Sequence, residues 1–169
     1  DLVPAMLRVL HIGGGIFWVG STLLFFAFVE PTAATLGADG QRFVHHLVRR
    51  RIVHWTVAAA TLTVATGIPL YWRASGGLQP AWMTSPTGLA LTAAGVLGIT
   101  TWLLGLFAIA PATLRLDAVE ARIAETKAPD RDELMRSERL ASRLRVLGFL
   151  DLAMLVIVVI AMASARSLG

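Results

Sequence analysis

Four long apolar stretches constrain this chain more than anything else in it: Leu2–Val29, Ile52–Trp72, Thr87–Ala110 and Val146–Ala165. The hydrocarbon core of a bilayer is about 30 Å thick and a helix rises about 1.5 Å per residue, so a crossing needs roughly 20 apolar residues. All four stretches are long enough. The last, VLGFLDLAMLVIVVIAMASA, is interrupted only by Asp151. Lipid offers no water to backbone N–H and C=O groups, so a crossing segment is a helix or part of a closed barrel. Continuous apolar runs without strict alternation choose helices. The expected fold is all-α: a four-transmembrane-helix bundle, one integral membrane domain over residues 1–169.

Composition agrees. Hydrophobic residues make up 56% of the chain and the mean hydropathy is +0.68, far above a soluble domain, and four spans leave little over for a separate one. The absence of cysteine excludes disulfides and thiolate metal sites. A net charge of +4 would suit nucleic acid in a soluble protein. Here the basic residues fall in loops, where they meet lipid headgroups, so the expected partner is the bilayer and not nucleic acid. The first stretch lacks the basic start and short apolar core of a cleavable signal peptide. Whether a leader precedes Asp1 is left open.

Of the 15 Lys and Arg, 12 lie in two segments, 30–51 and 111–145; only Arg8, Arg73 and Arg166 lie elsewhere. The positive-inside rule puts both segments in the cytoplasm and both termini in the periplasm of a bacterial inner membrane. Tyr71, Trp72 and Trp82 read as interfacial anchors, and Arg73–Pro86 as a turn-rich outer connector. In the first basic segment Gly37 is the expected helix stop and Asp39 the expected cap of a helix running through FVHHLVRRR into the second span. In the second, DAVEARIAET and DRDELMRSERLASRLR extend helices 3 and 4 into the cytoplasm as a hairpin broken at Ala128–Pro129. Its charges suit solvated faces with i,i+4 pairs, Glu138 among them. The two halves of the chain share no repeat visible as sequence.

Ionisable groups inside a bilayer are expensive and mark function. Here they are Arg8 and His11 in the first span, Glu30 at its end, His54 at the start of the second and Asp151 early in the fourth. His11 lies roughly 12 Å below the outer surface and His54 about 4–5 Å below the inner one, at 1.5 Å per residue. One haem ligated by both is therefore not expected.

The outer constellation is Arg8, His11, Gly13–Gly15 and Trp18, with Arg8, His11, Gly15 and Trp18 on one helix face. A neutral imidazole can ligate haem iron, Gly14 and Gly15 can make room for a flat macrocycle, and Arg8 can pair with a propionate. The competing reading is packing: small residues let helices approach, and a buried histidine bonds a carbonyl across the bundle. The inner constellation is Glu30, His54 and Asp151, with His45, His46 and Arg49–Arg51 nearby. It suits a divalent metal, a proton relay or a structural ion-pair network. His46, Arg50 and His54 share a face by i+4 steps. Met6, Met154 and Met162 are sparse soft ligands for copper.

LRVLHIGGGIFWVGSTLLFF, the Arg-rich loop, and RRRIVHWTVAAATLTVATGIPLYW followed by SGG resemble the superfamily of CopD-type copper-resistance membrane proteins and HemJ-type protoporphyrinogen oxidases. The pattern is most similar to that of uncharacterised bacterial four-helix members. The HemJ likeness implies a b-type haem on His11. Where that type carries Asn-Glu near the start of its last helix, this chain has Leu150-Asp151. The CopD likeness implies copper handling. The expected function is haem b binding and membrane electron transfer, with quinone as a candidate partner. The alternatives are an accessory subunit of a larger membrane complex, a homo-oligomer, or copper transport. No motif decides whether the chain is an enzyme.

Overall fold

A computed structural model describes residues 2–126 and 130–167, the Arg166 side chain excepted. The expected break at Ala128–Pro129, Lys127 and the C-terminal Gly169 lie outside these residues. Among the described residues six α-helices follow one another, the last running into a short 3-10 turn at Ala165–Ser167: α1 (Leu2–Leu36), α2 (Ala38–Arg49), α3 (Ile52–Ala74), the short α4 (Pro80–Met83), α5 (Pro86–Glu125) and α6 (Arg131–Ser164). No strand occurs among the described residues. There, α1, α3, α5 and α6 are the four helices long and apolar enough to cross a bilayer. Their outer faces carry exposed Ile16, Phe107, Val156 and Ile160, surfaces that suit lipid.

Two ends can be told apart by contacts. At one, Tyr71 bonds Thr92 at 2.6 Å and Thr87 donates to the Ala165 carbonyl at 3.3 Å. At the other, Arg145 meets Glu30 at 2.8 Å and His45 meets Asp117 at 2.7 Å. We call the second the basic end, since the Arg-rich segments belong to it.

Several helix boundaries differ from expectation. The first helix continues past Val29 to Leu36, because Pro31 falls inside a helix that is already wound. Gly37 does stop it, at φ 57°, and is itself the N-cap of α2; Asp39 lies within the first turn and pairs with Arg42 instead of capping. The α2 helix does not run into the second span. Arg51 adopts a left-handed conformation, φ 64°, its N–H donates to the Val48 carbonyl, and α3 starts afresh at Ile52. His46, Arg50 and His54 therefore share no helical face. Glu138 forms no ion pair among the described residues, where the pairs are Arg42–Asp39, His45–Asp117 and Arg145–Glu30.

The fold contains a repeat that the sequence hides. In α1 a five-residue π-turn, Phe25–Val29, precedes Pro31; in α5 the π-turn Gly105–Ile109 precedes Pro111. Every position is offset by 80 residues (25 to 105, 31 to 111). Proline supplies no N–H to the carbonyl four residues back, Ala27 or Phe107, and its ring crowds that carbonyl. The wider turn relieves the crowding, with Glu30 donating to the Phe25 carbonyl and Ala110 to the Gly105 carbonyl. Each π-turn helix packs chiefly on one partner, α1 on α3 and α5 on α6. The bundle is thus two helix pairs, both entered in the same direction.

Candidate functional site

The first pair is closed by small residues. A Cβ on Gly14 would lie 2.6 Å from Thr63 Oγ1 and 3.1 Å from the Ala59 carbonyl, so the α3 backbone already fills the space in front of it. A Cβ on Gly67 would lie 2.8 Å from His11 Cε1. His11 Nδ1 donates to the Thr63 carbonyl at 2.8 Å, a bond that fixes the proton on Nδ1 and leaves the Nε2 lone pair free. Gly14 therefore lets α3 approach α1 closely, while Gly15 lies at ordinary contact distance from Thr63. Arg8 is exposed.

The inner constellation comes apart. Glu30 is held by Arg145, through Nε at 2.9 Å and the terminal nitrogen at 2.8 Å. His54 and His46 are exposed. Asp151 joins neither them nor an arginine, against the ion-pair reading. No cluster of three His, Cys, Asp or Glu able to hold a metal occurs among the described residues.

Asp151 itself is the unusual group. It is 3% exposed, and its buried Oδ1 has no hydrogen-bond partner. The reason is its place in α6. The buried face of that helix runs Leu144, Gly148, Asp151, Leu155, Val158, alternating steps of four and three. That is the seam of a packed helix bundle, and Asp151 occupies a position built for leucine. It lines a cavity of about 90 Å³ between the two helix pairs. Hydroxyls of Ser21, Thr22, Thr56 and Thr113 line it too, with Trp18 and Trp102 as apolar walls. Both π-turns border this cavity, contributing Phe25 and Phe26 on one side and Gly105, Leu106 and Ile109 on the other.

On the side away from the basic end the cavity adjoins a packed cluster of Trp18, Ala60 and Leu155, with Val19, Ala59, Val64 and Trp102 against it. Towards the basic end lies a second cavity, about 210 Å³, whose walls include Glu30, Gln41, Asp117, Glu120 and Arg145. The two cavities share Phe25, Phe26 and Thr113. Burial, and secondarily the neighbouring Asp117 carboxylate, raise the Glu120 carboxyl above its ordinary 4.5.

Sequence reasoning named Asp151, Glu30 and His11 but not Phe26, Thr22, Thr113 or Glu120. The two prolines were the available signal for the π-turns. The threonines of α3 were another: Thr61, Thr63 and Thr66 bond carbonyls one turn back, and Trp102 Nε1 donates to Thr61 Oγ1 at 3.0 Å, tying the two pairs together. In comparisons with known proteins, the chain matches no family model, no curated protein and no solved structure.

Proposed function

We propose that the chain is a multi-pass protein of a bacterial inner membrane whose working group is Asp151, a carboxyl that takes up and releases a proton inside the bilayer. The observation that carries this reading is the buried, unpartnered Oδ1 of Asp151 beside a cavity whose walls include Ser21, Thr22, Thr56 and Thr113. An unpaired carboxylate at membrane depth is costly, and such residues mark proton and ion pathways. Among the described residues no basic side chain lines the cavity. A metal ion needs several strong ligands, and Asp151 is the one carboxylate there. A proton needs a single oxygen.

The reading is tested by infrared difference spectroscopy across a pH step on the purified protein in lipid. A carboxyl C=O band that titrates, and that Asp151→Asn removes, is expected. No such band in the wild-type chain would overturn it.

The orientation rests on charge. Twelve of 15 basic residues belong to segments 30–51 and 111–145, whose described residues gather at the basic end, and the positive-inside rule assigns that end to the cytoplasm. Helices α5 and α6 are 40 and 34 residues long, more than a bilayer needs, and their surplus carries Arg115, Arg122, Arg131, Arg136, Arg139, Arg143 and Arg145 into the cytoplasm. Reporter fusions after Gly169 and near Pro129 decide it: periplasmic activity at the first and cytoplasmic activity at the second are expected.

A second reading keeps His11 as a ligand. Its Nδ1–H bond to a carbonyl is the posture of metal-bound histidines, with Nε2 left to ligate haem b iron or copper. Such a group would lie outside the α1–α3 contact, which is closed. A Soret band in protein from haem-sufficient cells, lost in His11→Ala, carries this reading; its absence removes the haem.

A further inference from the structure

We propose that Asp151 exchanges its proton with the basic end alone, through the cavity lined by Glu30, Asp117 and Glu120, with the Phe26 ring as the barrier between that cavity and its own. The proposal rests on Asp151 as a proton-binding group and adds the route and its direction.

Three observations support it. The two cavities are consecutive, since Phe25, Phe26 and Thr113 belong to both walls. The barrier is thin: Phe26 is buried, its ring rests on Gly148, and Gly148 precedes Asp151 by one turn on the same face of α6. On the opposite side Trp18, Ala60 and Leu155 pack into an apolar cluster at 6%, 4% and 1% exposure, with no polar side chain in it.

The outer cavity has the chemistry of a proton funnel. Its carboxyls are Glu30, Asp117 and Glu120. Arg145 faces Glu30, and His45 on α2 faces Asp117. Glu120 has no ion-pair partner among the described residues. Burial and Asp117 favour its protonated form, so it can hold a proton where the surrounding loops are otherwise cationic. No further titratable side chain lines the inner cavity beside Asp151. The step balances without a co-reactant. The Glu120 O–H bond breaks as its proton passes to water; along the water chain each oxygen accepts one proton and yields another, and the last forms an O–H bond on Asp151.

The chain has no cysteine, which allows a direct test. Single cysteines at Ala141, on the outer cavity, and at Thr22, on the inner one, are introduced into full-length protein in oriented proteoliposomes. A small, cationic, membrane-impermeant thiol reagent is added from either side. Ala141→Cys should react quickly from the basic end. Thr22→Cys should react from that end only, and at least about tenfold faster when Phe26→Ala is added.

Reaction of Thr22→Cys from the opposite end overturns the proposal. So does no reaction in any background, or no acceleration by opening Phe26. Should Phe26→Ala fail to fold, Phe26→Leu takes its place. The unmodified chain gives a second readout: the Asp151 infrared band should respond to a pH step on the basic side and not on the other. A band that answers the wrong side defeats the route while leaving the proton site intact; no band at all defeats the site.

Discussion

The ring of Phe26 occupies the space where Gly148 would carry a side chain, one turn before Asp151 on the buried face of α6. A Cβ there would strike the ring itself, so Gly148→Ala must displace Phe26 or separate α1 from α6. Overpacking of this kind costs about 1–3 kcal/mol. Thermal unfolding in mild detergent should show that loss. Adding Phe26→Leu should recover part of it, and strict additivity of the two changes would sink the contact as described.

His11 is used twice, once against Gly67 and once on the Thr63 carbonyl. His11→Ala should cost about 1 kcal/mol, in the range measured for interhelical hydrogen bonds in membranes. Gly67→Ala should cost at least as much, since its Cβ would lie 2.8 Å from the imidazole Cε1. The pair should be non-additive, because once the ring is gone the methyl has room. Equal and additive losses in unfolding assays would contradict this packing.

Span count, helix class and the location of the basic residues could all be read from the chain, because lipid enforces length and apolarity without exception. Helix ends inside the polar segments could not. Arg51 takes the left-handed conformation although glycine is the usual residue for it, so the break before Ile52 has no local signature. Asp151 was visible as an intramembrane acid, but its lack of a partner depends on the rotation of α6, which sends Arg145 to Glu30 and turns Asp151 inward. The repeat was hidden because a π-turn followed by proline is a backbone pattern; FFAFVEP and GLFAIAP share only its geometry. The residues that carry the CopD and HemJ resemblance are used here in packing: His11 on Gly67, Trp18 in the core, Tyr71 against Trp82 with ring centres 5.6 Å apart.

Glu120 makes stability depend on pH. Its folded pKa is raised, by burial first and by Asp117 second, so the folded state favours the protonated carboxyl. The stability that follows is fully present below the ordinary value of 4.5 and is lost as pH rises through the higher folded value. Glu120→Gln carries no charge at any pH. The variant and wild type should unfold at similar temperatures in acid, and the variant should be the more stable above that window. Matching curves across the whole range would mean that Glu120 is solvated in the folded protein.

Asp151 separates stability from function most sharply. A carboxyl at a seam position, with one oxygen unpartnered, opposes folding: its polar group has left water without full compensation. Leucine belongs at such a position, and its larger side chain can extend into the adjoining cavity. Asp151→Leu should therefore stabilise the bundle, by about 1–3 kcal/mol on the scale of replacing a buried unsatisfied polar group. It should also remove the titrating infrared band. Asp151→Glu keeps the acid, and should keep the band while straining the cavity of about 90 Å³. A structural acid would behave the opposite way, with leucine destabilising and no titration lost. If Asp151→Leu unfolds more easily than wild type, the carboxyl is holding the helices together and the proton reading fails.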